Sequence, residues 1–545
     1  MDSEKQAEAT TMESPGEKVG KPTYEMLLDT VGHFGLFQRI TFSLLTLADV
    51  ITSMIMMYLI FSSSTSNWRC AQFDGFNMTE ITTGNETFEK TCLFNGSKCV
   101  EFDFDKDFNS IASEWNLVCD DAYIPKLTTS ILMFGVLVGA FVFAQLSDLY
   151  GRRPVLISII IALMISQVIV GTSINWHMHI AMRFCVGVFL GGTIGLCFVL
   201  PMEFIGPRWR SFCGALGLFD VGQALVAMFA YFERDWRYLA YTTGAISLPL
   251  VIAIVIYVPE SCRWLIQKER FIEAEKVLRR MAKVNKTDVP DISLLKRISR
   301  AGKADDAAVA KYTYADLFST RKYAVRTLVI MMSWFTASCV YYVIVVSISS
   351  LSGDMYLNTA LSAIPSLFIG WSIIPVANWI GRKKAYLLYT AFPIVSMFAI
   401  VILQATGQME EQGTLLTVLA LVGKIGIGCS WIIAAIITAE VYPTLMRTVG
   451  VGIGNTTARF GGIIAPQIVY LGELIHWTVP YIINGSLALT STILVMVLLP
   501  ETAHKPLLEE LPDKRATCCK CSKDDNKSER ESDEELKDLT GSCPA

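Results

Sequence analysis

Asp148-Leu-Tyr-Gly-Arg-Arg153 is a short charged stretch in an otherwise apolar region, and a close copy of it, Asn378-Trp-Ile-Gly-Arg-Lys383, follows 230 residues later. Two other charged patterns repeat at offsets of 237 and 241 residues. These are Glu203 with Arg210, matched by Glu440 with Arg447, and Pro259-Glu-Ser261, matched by Pro500-Glu-Thr502. Three patterns repeated in the same order indicate that the chain consists of two equivalent halves.

The composition is typical of a membrane protein. Of the 545 residues, 52% are hydrophobic and 18% are charged, which is too little charge to cover the surface of a soluble chain of this size. Apolar runs long enough to cross about 30 Å of hydrocarbon recur along the chain. Twelve such runs span 40–61, 126–146, 154–174, 178–205, 212–232, 238–258, 325–351, 361–379, 385–403, 415–439, 449–470 and 479–499. The sequence therefore predicts an all-α membrane protein with twelve transmembrane helices in two pseudo-symmetric six-helix bundles, an organisation typical of transporters.

The segments between the spans give the predicted domain organisation and orientation. Lys and Arg concentrate in the short loops on one side of the membrane, so we expect that side and both termini to be cytoplasmic. The first residues lack the apolar region of a cleavable signal peptide, and we expect a multi-pass protein of the plasma membrane. The predicted parts are an N-terminal segment 1–37, a bundle 38–258 that includes an outer loop 62–122, a cytoplasmic linker 259–324 with amphipathic helices, a bundle 325–500 and a cytoplasmic tail 501–545.

The long outer loop has the features of an exposed, oxidised segment. It contains four cysteines, which suggest two disulfides with three connectivities open. It also contains three Asn-x-Ser/Thr acceptors, so we expect glycosylation there. The residues are Cys70, Cys92, Cys99 and Cys119, and Asn77, Asn85 and Asn95.

The repeated charged residues lie at predicted cytoplasmic helix ends, where they could act as gates. An acid at a helix end can pair with a base or with the positive N-terminus of a neighbouring helix. We expect Asp148, with Arg152 and Arg153 beside it, to form one such clasp. Exposed pairs worth roughly 0–1 kcal/mol are weak enough to break in every transport cycle. Glu203 with Arg210, and Glu440 with Arg447, are expected to form similar clasps, and ordinary interfacial salt bridging is the alternative.

Four ionisable residues lie inside predicted spans, where a charge at mid-bilayer costs about 2.5–3.5 kcal/mol on insertion scales. They are Asp49, Asp220, Lys424 and Arg459, the last on a helix face with Asn455. A guanidinium suits a carboxylate through bidentate hydrogen bonds, so Arg459 is a candidate for substrate binding. The alternatives are a structural ion pair between Arg459 and Asp220, and a pairing of Asp49 with Lys126 or Lys424.

Aromatic side chains in the spans are candidates for binding an ammonium group. Trp334 and Tyr341 are two helical turns apart and share a face, and Phe219 lies next to Asp220. Aromatic faces attract cations, by up to about 2 kcal/mol when desolvated. The alternative is that these rings pack in the core or face lipid.

No feature of the chain points to an enzyme, because it has no phosphate-binding loop and no carboxylate triad with His177 or His179. No cofactor is expected, with Na⁺ or H⁺ left open as a coupling ion. The expected partners are a small organic ion and the lipid bilayer, with no nucleic acid and a functional monomer. A receptor-like sensor that binds the substrate without transporting it is the rival from another class.

Several motifs resemble the major facilitator superfamily, and within it the organic cation, carnitine and organic anion transporters. Stretch 135–153 is similar to the superfamily's signature loop, although Ala144 and Leu149 depart from its usual residues. The narrower resemblance rests on Ser113-Glu-Trp-Asn-Leu-Val-Cys119, Arg234-Asp-Trp-Arg237, Pro259-Glu-Ser-Cys-Arg-Trp-Leu265 and Thr438-Ala-Glu-Val-Tyr-Pro443. The resemblance implies a central cavity and alternating access.

The resemblance also bears on the substrate. Arg459-Phe-Gly-Gly462 follows the pattern of anion and carnitine carriers, whereas Trp334 and Tyr341 match aromatics that line the cavity of cation carriers. A base for a carboxylate, with acids and aromatics for an ammonium, favours a polyspecific carrier of small organic zwitterions or cations, with carnitine-like or amine substrates. An organic anion exchanger and a non-transporting substrate sensor are the alternatives.

Overall fold

The computed structural model describes residues 24–503, except for 74–75, 78–89, 91, 95–96, 106, 208, 211–212, 214–216, 292, 301–312, 407–412 and 444–445. The predicted tail, 501–545, therefore lies almost entirely outside the described residues. The chain forms two compact units. The first comprises Met1–Phe61, Lys106–Asn109 and Phe134–Lys311, and the second comprises Ser62–Asp105, Ser110–Met133 and Tyr312–Ala545. The outer loop thus belongs to the second unit, whereas the sequence placed it with the first half.

Helices make up most of the described chain. Up to the middle of the chain they are α1 (Tyr24–Val31), α2 (Leu36–Met57), α3 (Leu59–Ser62), α4 (Ile111–Glu114), α5 (Tyr123–Tyr150), α6 (Arg152–Gly171), α7 (Trp176–Met202), α8 (Phe219–Glu233), α9 (Trp236–Ala245), α10 (Leu248–Tyr257), α11 (Cys262–Gln267) and α12 (Phe271–Asn285). The rest are α13 (Arg321–Ser347), α14 (Met355–Ile380), α15 (Arg382–Ala405), α16 (Gly413–Val441), α17 (Arg447–Leu474) and α18 (Val479–Leu498).

Among the described residues, ten helical stretches are long and apolar enough to cross a membrane. The predicted eleventh span is present as α17, but its interior carries Asn455, Arg459 and Gln467, which lower its hydropathy. The predicted fifth span corresponds to α8, a helix of 15 residues that begins after the non-helical residues Gly217 and Leu218. The predicted sixth span is divided into α9 and α10. The division falls at Pro249, which has no N–H to donate to the preceding helical turn.

The outer segment contains a small antiparallel sheet that the all-α prediction did not include. Its strands are β1 (Trp68–Phe73), β2 (Phe76–Asn77), β3 (Leu93–Phe94) and β4 (Ser97–Phe104), in the order β2-β1-β4-β3. Two disulfides fix it, Cys70–Cys99 and Cys92–Cys119, each with a Cα–Cα distance of 5.7 Å. That distance is usual for a disulfide. The structure thus selects one of the three connectivities that the sequence left open.

The amphipathic linker helix α12 packs on protein within the first unit. Its apolar residues Leu278 and Met281 are buried in a cluster that also holds Leu27 and Leu28 of α1. The apolar face of α12 is therefore covered by protein, in part by α1. The reading of α12 as a helical part of the linker is compatible with this packing.

Asn285, the last residue of α12, ties this helix to the start of the chain. Its Oδ1 accepts a hydrogen bond from the backbone N–H of Phe37 at 2.9 Å. Its Nδ2 donates to the carbonyl of Val31 and to Oε1 of Gln38, both at 2.9 Å. We call this group of four residues the Asn285 clasp.

Candidate functional site

The repeated motif of the first unit holds three helices together around Arg152. The Nη1 atom of Arg152 lies 2.5 Å from Oδ1 of Asp148 and donates to the carbonyl of Ser147 at 2.9 Å. Its Nε lies 3.5 Å from Oε1 of Glu203, which follows the last residue of α7. The neighbouring Arg153 donates to the carbonyls of Val255 and Val258, both at 2.8 Å. The predicted clasp at Asp148 is thus a network inside one unit.

The second unit repeats this arrangement around Arg382. The Nη2 and Nε atoms of Arg382 donate to Glu440 Oε1 at 3.0 Å and Oε2 at 3.1 Å. Its Nη1 donates to Oδ1 of Asn378 at 2.9 Å, so the amide takes the place that Asp148 has in the first unit. Thr502 also donates to Glu440, at 2.5 Å. This network is therefore a structural repeat of the first one, with one carboxylate fewer.

The structure corrects the predicted partners of the two glutamates. Glu203 and Glu440 pair with the motif arginines, and neither pairs with the arginine seven residues further along. Arg210 instead donates to the carbonyls of Met202 at 3.3 Å and Ile205 at 2.9 Å, and its Nη1 lies 3.6 Å from Glu25.

The Nε and Nη2 atoms of Arg447 are buried without a hydrogen-bond partner in the part of the chain that the structure describes. The equal spacing of the acid and the base is part of the repeat and does not mark a contact. Each glutamate lies at or near the end of its helix and is therefore directed toward the start of α6 or α15.

Two further acids, which the sequence analysis noted without assigning a role, complete the networks. Glu260 accepts the backbone N–H groups of Arg152 at 2.9 Å and Arg153 at 3.2 Å. Glu501 accepts those of Arg382 at 2.9 Å and Lys383 at 3.1 Å. Each carboxylate thus satisfies free N–H groups at the start of a helix, where the helix dipole also favours negative charge. The repeated Pro-Glu pattern was the sequence feature that could have pointed to this capping role.

The glycine of each motif is required for this capping. Gly151 and Gly381 have φ values of +113° and +93°, which side chains other than glycine rarely adopt. A Cβ on Gly151 would also approach Glu260. Burial alone would raise the pKa of Glu501, but the backbone N–H groups of Ala503, Arg382, Lys383 and Thr502 lower it below its usual value. The capping acid is therefore charged at neutral pH.

The two intramembrane acids of the first unit lie on helices that cross closely. Asp49 on α2 and Asp220 in the first turn of α8 are near enough to interact electrostatically. Ser53 Oγ donates to the carbonyl of Phe219 at 2.5 Å. A Cβ on Gly222 would lie 2.2 Å from the carbonyl oxygen of Val50, so the crossing depends on this glycine. We call Asp49 and Asp220 the acid pair.

Arg459 occupies the middle of α17, and two glycines after it bring α17 against α13. A Cβ on Gly461 would lie 2.5 Å from the carbonyl oxygen of Phe335. Tyr342 of α13 is the group that interacts electrostatically with Arg459. The guanidinium Nε is buried and has no hydrogen-bond partner among the described residues. Arg459 therefore has unused donor capacity, while Asn455, one turn before it, is exposed.

The aromatic candidates of α13 are already engaged. Trp334 donates from Nε1 to Oγ1 of Thr438 at 2.9 Å. The ring of Tyr341 has Nζ of Lys424 5.3 Å from its centroid, and that Nζ donates to the carbonyl of Ser362 at 2.9 Å. One face of Tyr341 thus holds a cation that belongs to the protein. Lys424 accordingly has a structural role in the second unit.

A further charged residue in a span was missed by the sequence analysis. Arg183 of α7 is 1% exposed, and its guanidinium lies 4.9 Å from the centroid of the Tyr58 ring. Its Nη1 and Nη2 atoms have no hydrogen-bond partner in the described structure. Arg183 is the sixth residue of the predicted span 178–205, and the cost of a charge inside the membrane could have drawn attention to it.

The predicted glycosylation residues lie mostly outside the described structure. Asn85 and Asn95 are not described, and Asn77 ends β2 with its side chain outside the description. Asn285 also stands in an Asn-x-Thr sequence, but its side chain is part of the Asn285 clasp.

A sequence profile for "Sugar (and other) transporter" matches residues 46–512, which is well over half of the chain. The "Organic cation transporter protein" of Drosophila melanogaster is 32% identical over 463 residues, covering 82% of this chain and 81% of the relative. Human "Organic cation/carnitine transporter 2" is 30% identical and covers 89% of this chain and 92% of the relative. Mouse "Solute carrier family 22 member 4" is 30% identical and covers 90% and 94%.

The chain belongs to solute carrier family 22. Among solved structures, the inward-open xylose transporter XylE from E. coli aligns with a TM-score of 0.60 at 17% identity, covering 84% of this chain and 97% of XylE. This likeness supports the major facilitator fold. The predicted family, the helical membrane fold and the prediction of a transporter rather than an enzyme are confirmed.

Proposed function

We propose that this member of solute carrier family 22 carries small organic zwitterions or amines across the plasma membrane by alternating access, with both termini in the cytoplasm. The names of the relatives support organic cations and carnitine as the substrate class. The single observation that carries the proposal for this chain is the hydrogen bonding of Arg459. It is a guanidinium in the middle of a membrane helix with a buried Nε that lacks a partner in the described residues.

Arg459 is the candidate for binding a carboxylate. A buried donor without a partner costs about 1–3 kcal/mol, and more when the group is charged. A substrate carboxylate would remove this cost by accepting from Nε and one Nη in the bidentate geometry that guanidinium groups favour. The Gly461–Phe335 contact holds α17 against α13 and fixes the position of the guanidinium.

The acid pair is the candidate for binding an ammonium group. Two carboxylates that repel each other gain when a cation is placed beside them. Among the described residues, the Asp49 carboxylate accepts a side-chain hydrogen bond only from Thr52, and that contact is long, at 3.4 Å. Thr52 also donates to the backbone carbonyl of Asp49, at 2.8 Å. The first unit thus offers a candidate site for an ammonium group, and the second unit offers Arg459 for a carboxylate.

Uptake of three solutes tests the proposal: carnitine, tetraethylammonium and benzoate. Arg459→Ala should reduce the apparent affinity for carnitine by roughly 10- to 150-fold, the effect of losing a charged hydrogen-bond partner, while tetraethylammonium uptake is unchanged or increased. Arg459→Lys should restore part of the carnitine uptake. Arg326→Ala, at the start of α13, is the matched control and should transport all three normally.

Equal losses for carnitine and tetraethylammonium would show that Arg459 is structural. Uptake of benzoate alone would favour the organic anion exchanger. Saturable binding with no flux of any of the three would favour the substrate sensor.

A further inference from the structure

A large cavity lies in the second unit beneath the disulfide-bonded segment. Its volume is about 1010 Å³, at the upper end of the range usual for small-molecule sites. One wall is the strand segment with the Cys92–Cys119 disulfide, and the other walls are the ends of α5, α13, α16, α17 and α18. The cavity is therefore enclosed by covalently fixed chain and by helices of the same unit.

The cavity wall contains three lysines and three acids, Asp120, Asp121 and Glu473, and these charges are unevenly distributed over it. Lys98 is paired with Asp120 at 2.8 Å. Lys126 is 6% exposed and is paired with Glu473 at 3.0 Å. Lys90 lines the same cavity and forms no hydrogen bond or ion pair with any described residue. Glu473 therefore interacts with two ammonium groups, Lys90 and Lys126, and this group of three has a surplus of one positive charge.

The environment of Lys90 agrees with this imbalance. The side chain of Lys90 is exposed, but desolvation by the surrounding protein lowers the pKa of its ammonium group; Glu473 raises this pKa, and Lys126 lowers it. Lys98, by contrast, has a raised pKa because Asp120 accepts its hydrogen bond and carries the opposite charge. Lys98 is thus satisfied by its partner, and Lys90 is the cation that an added anion would stabilise.

The remaining wall is aromatic and apolar. Trp477 and Tyr481 line it with their ring centroids 6.0 Å apart, edge to face. Tyr470 and Leu93 add to the same surface, and Leu93 is 59% exposed. Aromatic side chains with a few placed charges are typical of sites for small organic ligands.

We propose that this cavity binds amphipathic organic carboxylates, with the carboxylate on Lys90 and Lys126 and the apolar body on Trp477 and Tyr481. The site is separate from Arg459. Glu473 follows Arg459 by fourteen positions on α17, which corresponds to about 21 Å along the helix axis. The proposal does not depend on which solute the protein transports.

Direct binding to the full-length protein in lipid nanodiscs tests the proposal, with 4-phenylbutyrate as the probe and 4-phenylbutyramide as its neutral counterpart. The measurement is isothermal calorimetry in the Arg459→Ala background, so that binding at Arg459 does not contribute. The acid should bind and the amide should bind at least tenfold more weakly. Lys90→Gln should weaken binding of the acid by about tenfold, since it removes one charged partner.

Two other variants make the test specific. Glu473→Gln removes the competing carboxylate and should strengthen binding of the acid. Lys98→Gln, in the same wall but paired with Asp120, is the matched control and should leave the affinity unchanged.

Equal binding of acid and amide, unchanged affinity in both Lys90→Gln and Glu473→Gln, or no binding of the acid would overturn the proposal. These outcomes are distinct from the uptake results at Arg459, because every protein in the binding experiment already lacks that side chain.

Discussion

At the scale of single residues, the two motif arginines are the most informative side chains. Arg152 and Arg382 each link an acid from one helix to the start of another, and the two networks have the same design. They differ in composition, because Asn378 stands where the first unit has Asp148. Arg382 therefore depends more heavily on a single carboxylate, Glu440, than Arg152 does on any one of its partners.

The first prediction concerns this dependence. Arg382→Glu should impair uptake strongly, because it places two acids together in a pair that is only 15% and 21% exposed. Breaking such a partly buried pair should cost more than the 0–1 kcal/mol of an exposed one and less than the 3–5 kcal/mol of a fully buried one. Initial rates of uptake, normalised to surface expression, are the measurement.

The exchange of both charges identifies the partner. Arg382→Glu combined with Glu440→Arg should recover part of the uptake, whereas Arg447→Glu combined with Glu440→Arg should not. Recovery in the second combination would restore the pairing that the sequence suggested. Normal uptake in the single Arg382→Glu variant would show that Arg382 has no gating role.

The sequence identified charged residues that take part in the two networks, but it did not predict their partners correctly. The repeats identify Glu203 and Glu440, but the spacing to Arg210 and Arg447 suggested the wrong contacts. A partner is determined by where two helix ends meet in space, and that information is not contained in the spacing along one loop. The same reason explains why the sequence could not show that Lys424 already lies over Tyr341.

At the scale of secondary structure, the long apolar runs were predicted well because membrane helices must be apolar over their whole length. The predicted sixth and eleventh spans are both present, but local chemistry modifies them. Pro249 divides the sixth span, and the polar interior of α17 lowers the hydropathy of the eleventh. The small sheet between the first two spans was missed because its strands are short and lie in a polar, cysteine-rich segment.

The packing of α17 against α13 gives the second prediction. Gly461→Ala should lower both the thermal stability and carnitine uptake, because its Cβ would lie 2.5 Å from the carbonyl oxygen of Phe335. The backbone of α13 at Phe335 can make room for this Cβ only if α13 and α17 move apart. Thermal unfolding of the purified protein and uptake in cells are the two measurements.

Gly370→Ala on α14 is the matched control for this variant. A Cβ at Gly370 meets no atom within 4 Å, and alanine in a helix interior is favoured over glycine by roughly 0.5–1 kcal/mol. Gly370→Ala should therefore be neutral or slightly stabilising. A loss of stability of equal size in both variants would show that the Gly461 contact is not responsible.

At the scale of the whole molecule, the third prediction concerns which side of the membrane the disulfide-bonded segment faces. If this side is extracellular, glycosidase treatment should shift the band of the wild-type protein on a gel. Replacement of Asn77, Asn85 and Asn95 by Gln in one variant should abolish that shift. Thr287→Ala, which removes the acceptor sequence at Asn285, should leave the shift unchanged.

A glycosidase shift that persists in the triple variant would contradict the orientation or place the glycan elsewhere. The two disulfides, which close loops separated by 29 and 27 residues, are also expected only on an oxidising side.

The Asn285 clasp has a consequence for how the chain is made. Phe37 and Asn285 are 248 residues apart in sequence, so a ribosome adding about 5–20 residues per second needs on the order of 12–50 s to synthesise the second after the first. During that interval α1 has no α12 to cover Leu27 and Leu28, and this apolar face is open to chaperones and to aggregation. The Asn285 clasp can form only after α12 has been synthesised, and Asn285 lies 28 residues beyond the end of α10.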